Sequence, residues 1–227
     1  IRTTTRVVGE YGGDHFLFYA VIRNITEEKK RMEELLEIEK QFKKLNNQLT
    51  GELYFDPLNA KHQTVRVAYS TDASVYQELP VAVAIPYTKD DLLTLVAYAN
   101  DNGVTLIPRT AGTSLAGQVV GSGIIVDVSK YFNSILEVNV DEQWARVQPG
   151  VIRDDLNAYL KPLGLMFGPE TSTASRAMVG GMIGNNSSGL HSIVWGDTRQ
   201  NLIAATVILN DGTEVVFEEL GPKEYFN

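Results

Sequence analysis

The feature that most constrains the fold is a long stretch, residues 168–189, that is almost free of bulky side chains. A segment of this length without regular structure is uncommon inside a compact domain unless it has a function. Glycine lets a backbone approach a flat ring or a phosphate closely, and Asn185, Asn186 and Ser188 supply hydrogen-bond donors and acceptors. We call residues 168–189 the second glycine segment, because another glycine-rich stretch precedes it in the chain. It predicts a ligand site, with a flexible lid as the alternative.

A first glycine segment (residues 108–118, PRTAGTSLAGQ) comes directly after a predicted strand. Its small residues leave backbone N–H groups free to surround an anion. The glycines have the spacing of a P-loop, but Gln118 stands where that motif requires lysine. Gly112 to Gly117 is also one residue too long for a nucleophile elbow. The segment predicts either an anion site or a turn that binds no ligand.

Composition excludes several classes of function. The chain has 227 residues, 44% of them hydrophobic, which is enough for a real core. Its net charge of −8 argues against a broad surface for nucleic acid or anionic lipid. The absence of cysteine rules out disulfides, thiol catalysis and cysteine-ligated clusters within this chain. His15 and His62 have no partners at metal-ligand spacing, so we expect no metal site.

Hydropathy gives an expectation for location. No apolar run approaches the roughly 20 residues that cross a bilayer, and no signal peptide stands at the start. We therefore expect no membrane span and a cytoplasmic protein, with peripheral membrane association of a longer parent as the alternative. Residue 1 is Ile, which predicts a piece of a longer protein.

The pattern from Gly51 onward predicts an α+β fold with a mixed sheet, because short apolar runs alternate with helical spacing. Asn210-Asp211-Gly212 is a strong hairpin turn signal. The predicted strands are residues 81–85, 104–107, 124–128, 135–140, 144–147, 202–209 and 213–217, and the predicted helices are residues 90–102 and 154–160.

The first 49 residues are more highly charged and predict a short strand followed by a long helix. Phe16–Ile22 is apolar enough for a buried strand, and Thr26 is a candidate N-cap for the helix. Two alternatives stay open for that helix, a coiled-coil linker or an amphipathic helix packed on the following domain. Both rest on one apolar stripe, which consists of Leu35, Ile38, Phe42, Leu45 and Leu49.

Five motifs in a fixed order resemble the FAD-linked oxidase family, whose flavin domain is of the vanillyl-alcohol oxidase type with two α/β subdomains. They are Tyr69–Ser74, the first glycine segment, Val147–Val151, the second glycine segment with His191-Ser192, and Leu209–Thr213. The resemblance covers residues 45–218. It is strongest to the branch of D-lactate, glycolate and D-2-hydroxyglutarate dehydrogenases.

This resemblance implies that FAD is the cofactor and that the two glycine segments bind it. The implied cofactor-binding residues are Thr110, Ala111, Gly112, Thr113, Ser114, Gly117 and Gln118 in the first segment, and Pro169, Thr173, Ser175, Gly180, Gly181, Gly184, Asn185, Asn186, Ser188 and Gly189 in the second. Some relatives attach the flavin through a histidine in the first segment. Because residues 110–115 contain no histidine and the chain has no cysteine, we predict non-covalent FAD.

The resemblance further implies an oxidoreductase acting on a D-2-hydroxy acid such as lactate, glycolate or 2-hydroxyglutarate. In this family the substrate binds to a cap domain, which we expect to begin at residues 221–227, after an FAD-binding domain at residues 50–220. The catalytic residues are therefore unknown, and we expect residues 1–227 alone to be inactive. An iron–sulfur domain or a quinone is the expected electron acceptor of the parent.

A rival hypothesis comes from residues 12–40, which resemble the C-terminal tail of a PAS domain and the helix that leaves it. It predicts a PAS-linked sensor or signalling module joined to the flavin domain. Three side chains also keep two interpretations each. Arg109 is a phosphate ligand or a structural ion pair, Arg176 faces the cofactor or solvent, and His191 lies at the flavin edge or is structural.

Overall fold

The structure, a computed structural model, describes residues 13–218, with side chains from residue 27 onward. Helix α1 (Gly13–Asn46) comes first. The chain divides into two compact units at Lys44 and Leu45. The expected start of a cap domain at residues 221–227 lies outside the described residues.

The strand predicted at Phe16–Ile22 is wrong, because α1 runs without interruption through these residues. A short apolar run has no alternation that separates a strand from a helix, and a helix satisfies its own backbone groups locally. Thr26 consequently lies inside α1 and not at its start. Phe42 and Leu45 of the apolar stripe are buried, whereas Leu35 and Ile38 are exposed.

The second unit begins with a four-stranded sheet. Its strands are β1 (Glu52–Tyr54), β2 (Ala82–Ile85), β3 (Leu106–Arg109) and β4 (Ile124–Asp127), in the order β1-β2-β4-β3. Strand β1 is antiparallel to β2, whereas β2, β4 and β3 are mutually parallel. The central strands β2 and β4 are buried along their whole length, which explains their continuous apolar runs. Helix α2 (Ala60–Ala68) lies between β1 and β2 in the chain, and helix α3 (Lys89–Asn102) lies between β2 and β3.

The rest of the unit contains two antiparallel hairpins with helices between them, so the predicted α+β class is confirmed. A core of Val151, Leu156, Leu160 and Val179 packs here. The elements are β5 (Ile135–Asn139), β6 (Trp144–Val147), α4 (Arg153–Leu160), α5 (Val179–Asn185), α6 (Ser192–Trp195), β7 (Ala204–Ile208) and β8 (Glu214–Glu218). The second glycine segment is thus not wholly a loop, because α5 lies within it.

A buried carboxylate, Asp91, joins the start of α3 to the chain that enters β1. Its side chain is 2% exposed. It accepts hydrogen bonds from the Thr50 backbone N–H at 2.7 Å, the Thr50 hydroxyl at 2.8 Å and the Tyr87 N–H at 2.8 Å. Burial by itself would raise the pKa of Asp91, but these donations to the charged form outweigh it and lower the pKa.

We expect Asp91→Asn to lower the free energy of unfolding by about 1–3 kcal/mol, because an amide N–H₂ would face backbone donors with no acceptor. Since the folded pKa is depressed, the contribution is present above the unfolded value of about 4 and is lost as pH falls through the folded value. Urea unfolding at neutral and acidic pH measures both effects. Asp90→Asn, at the exposed neighbour, is the control, and equal stability losses in the two variants would contradict the prediction.

Candidate functional site

The first glycine segment leaves the sheet at the carboxyl end of β3. There β3 and β4 are parallel and paired, with Arg109 opposite Asp127. Ligands of open α/β sheets bind at the carboxyl ends of parallel strands. The topology therefore places the first glycine segment at the edge where a ligand is expected.

Side chains of the two glycine segments meet directly. The Gln118 amide Nε2 donates to Asn185 Oδ1 at 3.1 Å. The Ser114 hydroxyl donates to Gln118 Oε1 at 2.6 Å, and Asn185 Nδ2 donates to the Ser187 hydroxyl at 3.2 Å. One chain of hydrogen bonds thus links three residues that the sequence predicted to bind the same cofactor.

The backbone of the second segment also lies close to a side chain of the first. A Cβ added at Gly181, in the first turn of α5, would lie 2.6 Å from the Thr110 hydroxyl oxygen. At Gly184, near the end of the same helix, an added Cβ would meet nothing within 4 Å. Packing within the described residues therefore explains the glycine at position 181 and does not explain the one at 184. The open face at Gly184 is suited to a flat ligand.

The predicted site residues differ in exposure. Those of the first segment are partly buried, apart from the exposed Gln118. In the second segment Ser175, Gly181, Gly184, Asn185, Asn186 and Ser188 are exposed, Thr173, Gly180 and Gly189 are partly buried, and Pro169 is buried. The Asn186 amide is engaged at both ends, because Nδ2 donates to Asp197 Oδ2 at 3.1 Å and Oδ1 accepts from the Arg199 N–H at 2.9 Å. The Pro169 carbonyl accepts from Arg153 Nε at 3.0 Å.

A polar atom in the second glycine segment lacks a hydrogen-bond partner. Among the described residues, Thr171 Oγ1 and Asp72 Oδ2 are the buried side-chain atoms in this state. Leaving such a group unpaired costs free energy, so each one in a folded protein needs an explanation. Thr171, one residue beyond Glu170, is the position in the second glycine segment where such an explanation is needed.

His191 has two protein partners. Its Nδ1 is hydrogen-bonded to Glu170 Oε2, and its ring centroid lies 5.0 Å from that of Trp195. Gly189 lies against the same place, because a Cβ there would overlap the Glu170 carbonyl oxygen. These contacts favour the structural interpretation of His191.

The sequence analysis gave no role to Tyr76, which lines a cleft in the structure. An open cleft lies where Tyr76 and its two following residues face Ala116, Gly117 and Val120 of the region around the first glycine segment. One feature of the sequence could have drawn attention to Tyr76. It lies just after the Tyr69–Ser74 motif, which is part of the family resemblance but was given no role in the site.

Across residues 27–218, no group of three or more His, Asp or Glu side chains is arranged to bind a metal ion. None of the described helices combines the length and apolar character that a bilayer crossing requires.

Comparison with known proteins decides the family. Residues 80–218 match the family described as FAD binding domain. The chain belongs to this family. FAD is accordingly its cofactor. The small residues of the two glycine segments and the open space beside Gly184 are compatible with this cofactor.

Relatives with curated names agree with this assignment. The chain is 41% identical over 170 residues to a D-2-hydroxyglutarate dehydrogenase of Haemophilus influenzae, an alignment that covers 70% of this chain and 17% of that protein. It is 35% identical over 167 residues to glycolate oxidase subunit GlcD of Bacillus subtilis, covering 73% and 35%. The chain thus spans a minor part of the length of these relatives.

Solved structures agree on the fold. An alkyldihydroxyacetonephosphate synthase structure superposes with a TM-score of 0.67 at 19% identity, covering 80% of this chain and 38% of that one. The predicted vanillyl-alcohol oxidase type of fold is confirmed. The PAS resemblance gains no support, because the family match starts at residue 80 and the predicted strand of that segment is helical.

The open face at Gly184 leads to a prediction. We expect Gly184→Leu to fold normally, because an added Cβ meets nothing there, and to weaken FAD binding about tenfold, or about 1.4 kcal/mol. Gly184→Ala should weaken it less, since a methyl group fills less of the open space. FAD titrations of both variants, with thermal unfolding of the FAD-free proteins, make the measurement. Unchanged affinity in Gly184→Leu would show that the cofactor does not use this face.

Proposed function

We propose that this chain is the cofactor-binding part of an FAD-dependent oxidoreductase that oxidises a D-2-hydroxy acid. The observation that carries the proposal is the meeting of the two glycine segments through Gln118 and Asn185. The 41% identity to a D-2-hydroxyglutarate dehydrogenase supports the substrate class, with 2-hydroxyglutarate as the first candidate. Glycolate is the second candidate, because the glycolate oxidase subunit is 35% identical.

FAD, when bound, supplies the acceptor for a hydride equivalent from the substrate α-carbon, so that the hydroxy acid leaves as a 2-oxo acid. The chain's own contribution is to bind and orient. Residues 110–118 surround the anionic part with backbone N–H groups, and residues 180–189 present a small-residue surface to the ring.

The substrate side of the reaction is proposed to lie on a cap domain of a longer protein. That domain would supply the groups that bind the carboxylate and accept the hydroxyl proton. Residues 1–227 alone would then bind FAD without turnover. A separate acceptor, an iron–sulfur domain or a quinone, would reoxidise the flavin in the longer protein.

The cofactor proposal is tested on the purified chain by titration with FAD and by its visible absorption spectrum. We expect saturable binding of one FAD and release of the flavin into the supernatant after heat denaturation, because residues 110–115 contain no histidine and the chain no cysteine. Flavin that stays with the precipitated protein would contradict non-covalent attachment. A folded chain that does not bind FAD would contradict the proposal itself.

The substrate proposal is tested on the longer protein that contains this chain. Anaerobic mixing with D-2-hydroxyglutarate, D-lactate and glycolate should bleach the flavin absorption, fastest with the true substrate. The L enantiomers of the two chiral acids are the matched controls and should react far more slowly. Bleaching by none of these acids would overturn the assigned substrate class.

A further inference from the structure

Arg109, the last residue of β3, directs one nitrogen of its guanidinium, Nη1, at backbone carbonyl oxygens. Its Nη1 donates to the Thr71 carbonyl oxygen at 2.8 Å and to the Tyr69 carbonyl oxygen at 3.4 Å. The guanidinium carbon lies 5.1 Å from the centroid of the Tyr69 ring. The planar group is therefore positioned by the segment that follows α2. We name residues 69–78 the brace.

The other side of the same guanidinium supports the first glycine segment. A Cβ added at Gly112 would lie 2.5 Å from Arg109 Nη2. Gly112 also has a φ of +66°, which side chains rarely adopt. Arg109 thus lies between the brace and the turn at Gly112.

The brace contacts the first glycine segment at a second turn. Gly117 has a φ of +71°, and a Cβ there would lie 2.6 Å from Cδ2 of the Tyr76 ring. The ring of Tyr76 is therefore packed directly on the backbone of Gly117. Both left-handed glycines of the segment are in contact with the brace or with the arginine that it positions.

The brace is itself anchored to the sheet. The Tyr69 hydroxyl donates to Asp127 Oδ2, and the other carboxylate oxygen of Asp127 accepts from the Ser129 N–H at 2.7 Å. Asp127 is 3% exposed and ends β4, opposite Arg109. Burial, followed by the hydrogen bond to Asp127, raises the pKa of Tyr69, so the hydroxyl remains a donor at neutral pH. Within the brace, the Glu78 N–H donates to the Ser70 carbonyl oxygen at 2.9 Å.

We propose that the brace is a positioning element of the FAD site, in which Arg109 and Tyr76 fix the two turns of the first glycine segment without contacting the cofactor. The proposal rests on the proposed function. In this proposal the planar guanidinium of Arg109 holds the brace and the turn at Gly112 at a fixed separation. Its shape and its Nη1 hydrogen bonds then matter more for FAD binding than its charge. The proposal assigns Tyr76 the role of a ring on which Gly117 rests.

The Arg109 test compares charge with shape. Lysine retains the positive charge but cannot reproduce the planar guanidinium, and methionine retains neither. We expect Arg109→Lys and Arg109→Met to weaken FAD binding to a similar extent, about tenfold. The salt dependence of FAD binding should be the same as in the unmodified chain. If Arg109→Lys binds like the unmodified chain while Arg109→Met binds weakly with reduced salt dependence, the arginine contacts the cofactor phosphates and the proposal fails.

The Tyr76 test has a conservative control and does not depend on a buried position, since Tyr76 is 59% exposed. Tyr76→Phe keeps the ring over Gly117 and should bind FAD like the unmodified chain. Tyr76→Ala removes the ring and should weaken binding severalfold, while thermal unfolding of the FAD-free protein changes little. Unchanged affinity in Tyr76→Ala, or an equal loss in Tyr76→Phe, would overturn the role of the ring.

FAD binding by the unmodified chain distinguishes failure of the proposed function from failure of the brace proposal alone. If it is folded and does not bind FAD, the proposed function fails and the brace proposal fails with it. If it binds FAD and the Arg109 and Tyr76 variants bind equally well, the brace proposal alone fails. Measurement of all five proteins under one set of conditions distinguishes these results.

Discussion

The parallel pairing of β3 with β4 is the constraint on which the site depends. It places Arg109 opposite Asp127 at one edge of the sheet, where the first glycine segment departs. The Val128 N–H donates to the Arg109 carbonyl oxygen at 3.0 Å and extends the pairing past the end of β4. A charged fork and a buried carboxylate are thereby brought to the same place. The Tyr69 hydroxyl donates to Asp127, and Arg109 Nη1 donates to the carbonyl oxygens of Tyr69 and Thr71.

The two halves of the site come from parts of the chain that are far apart in sequence. Their side-chain link, from Gln118 to Asn185, is exposed, and an exposed hydrogen bond contributes little net stability. The Thr110 hydroxyl also lies close to the backbone of Gly181 and forms a second, more direct contact between the segments. A cofactor that contacts both segments would add its binding free energy to that of folding. We therefore expect FAD to stabilise this arrangement as well as to occupy it.

Glycines of the site serve two different purposes. Gly112 and Gly117 are required by the protein itself, because side chains of Arg109 and Tyr76 occupy the space that a Cβ would need. Gly184 has open space around it, so packing in the described residues gives no reason for a glycine there. A glycine-rich sequence therefore predicts a site but does not predict which of its glycines face the ligand.

The sequence by itself determined the central strands, the hairpins and both glycine segments. The continuous β-branched run Ile124–Val126 can be buried on both faces, and Asn210-Asp211-Gly212 favours one kind of turn, so local chemistry was sufficient. It failed at Phe16–Ile22, where an apolar run without alternation fits a strand or a helix equally well. Only the tertiary structure decided which partners Arg109, Tyr76 and Asn186 take. Arg109 donates to a carbonyl oxygen 38 positions away, and Asn186 donates to a carboxylate 11 positions away. The Tyr76 ring lies against a glycine 41 positions away. Such pairings depend on how strands and segments are arranged in space, which no local pattern specifies.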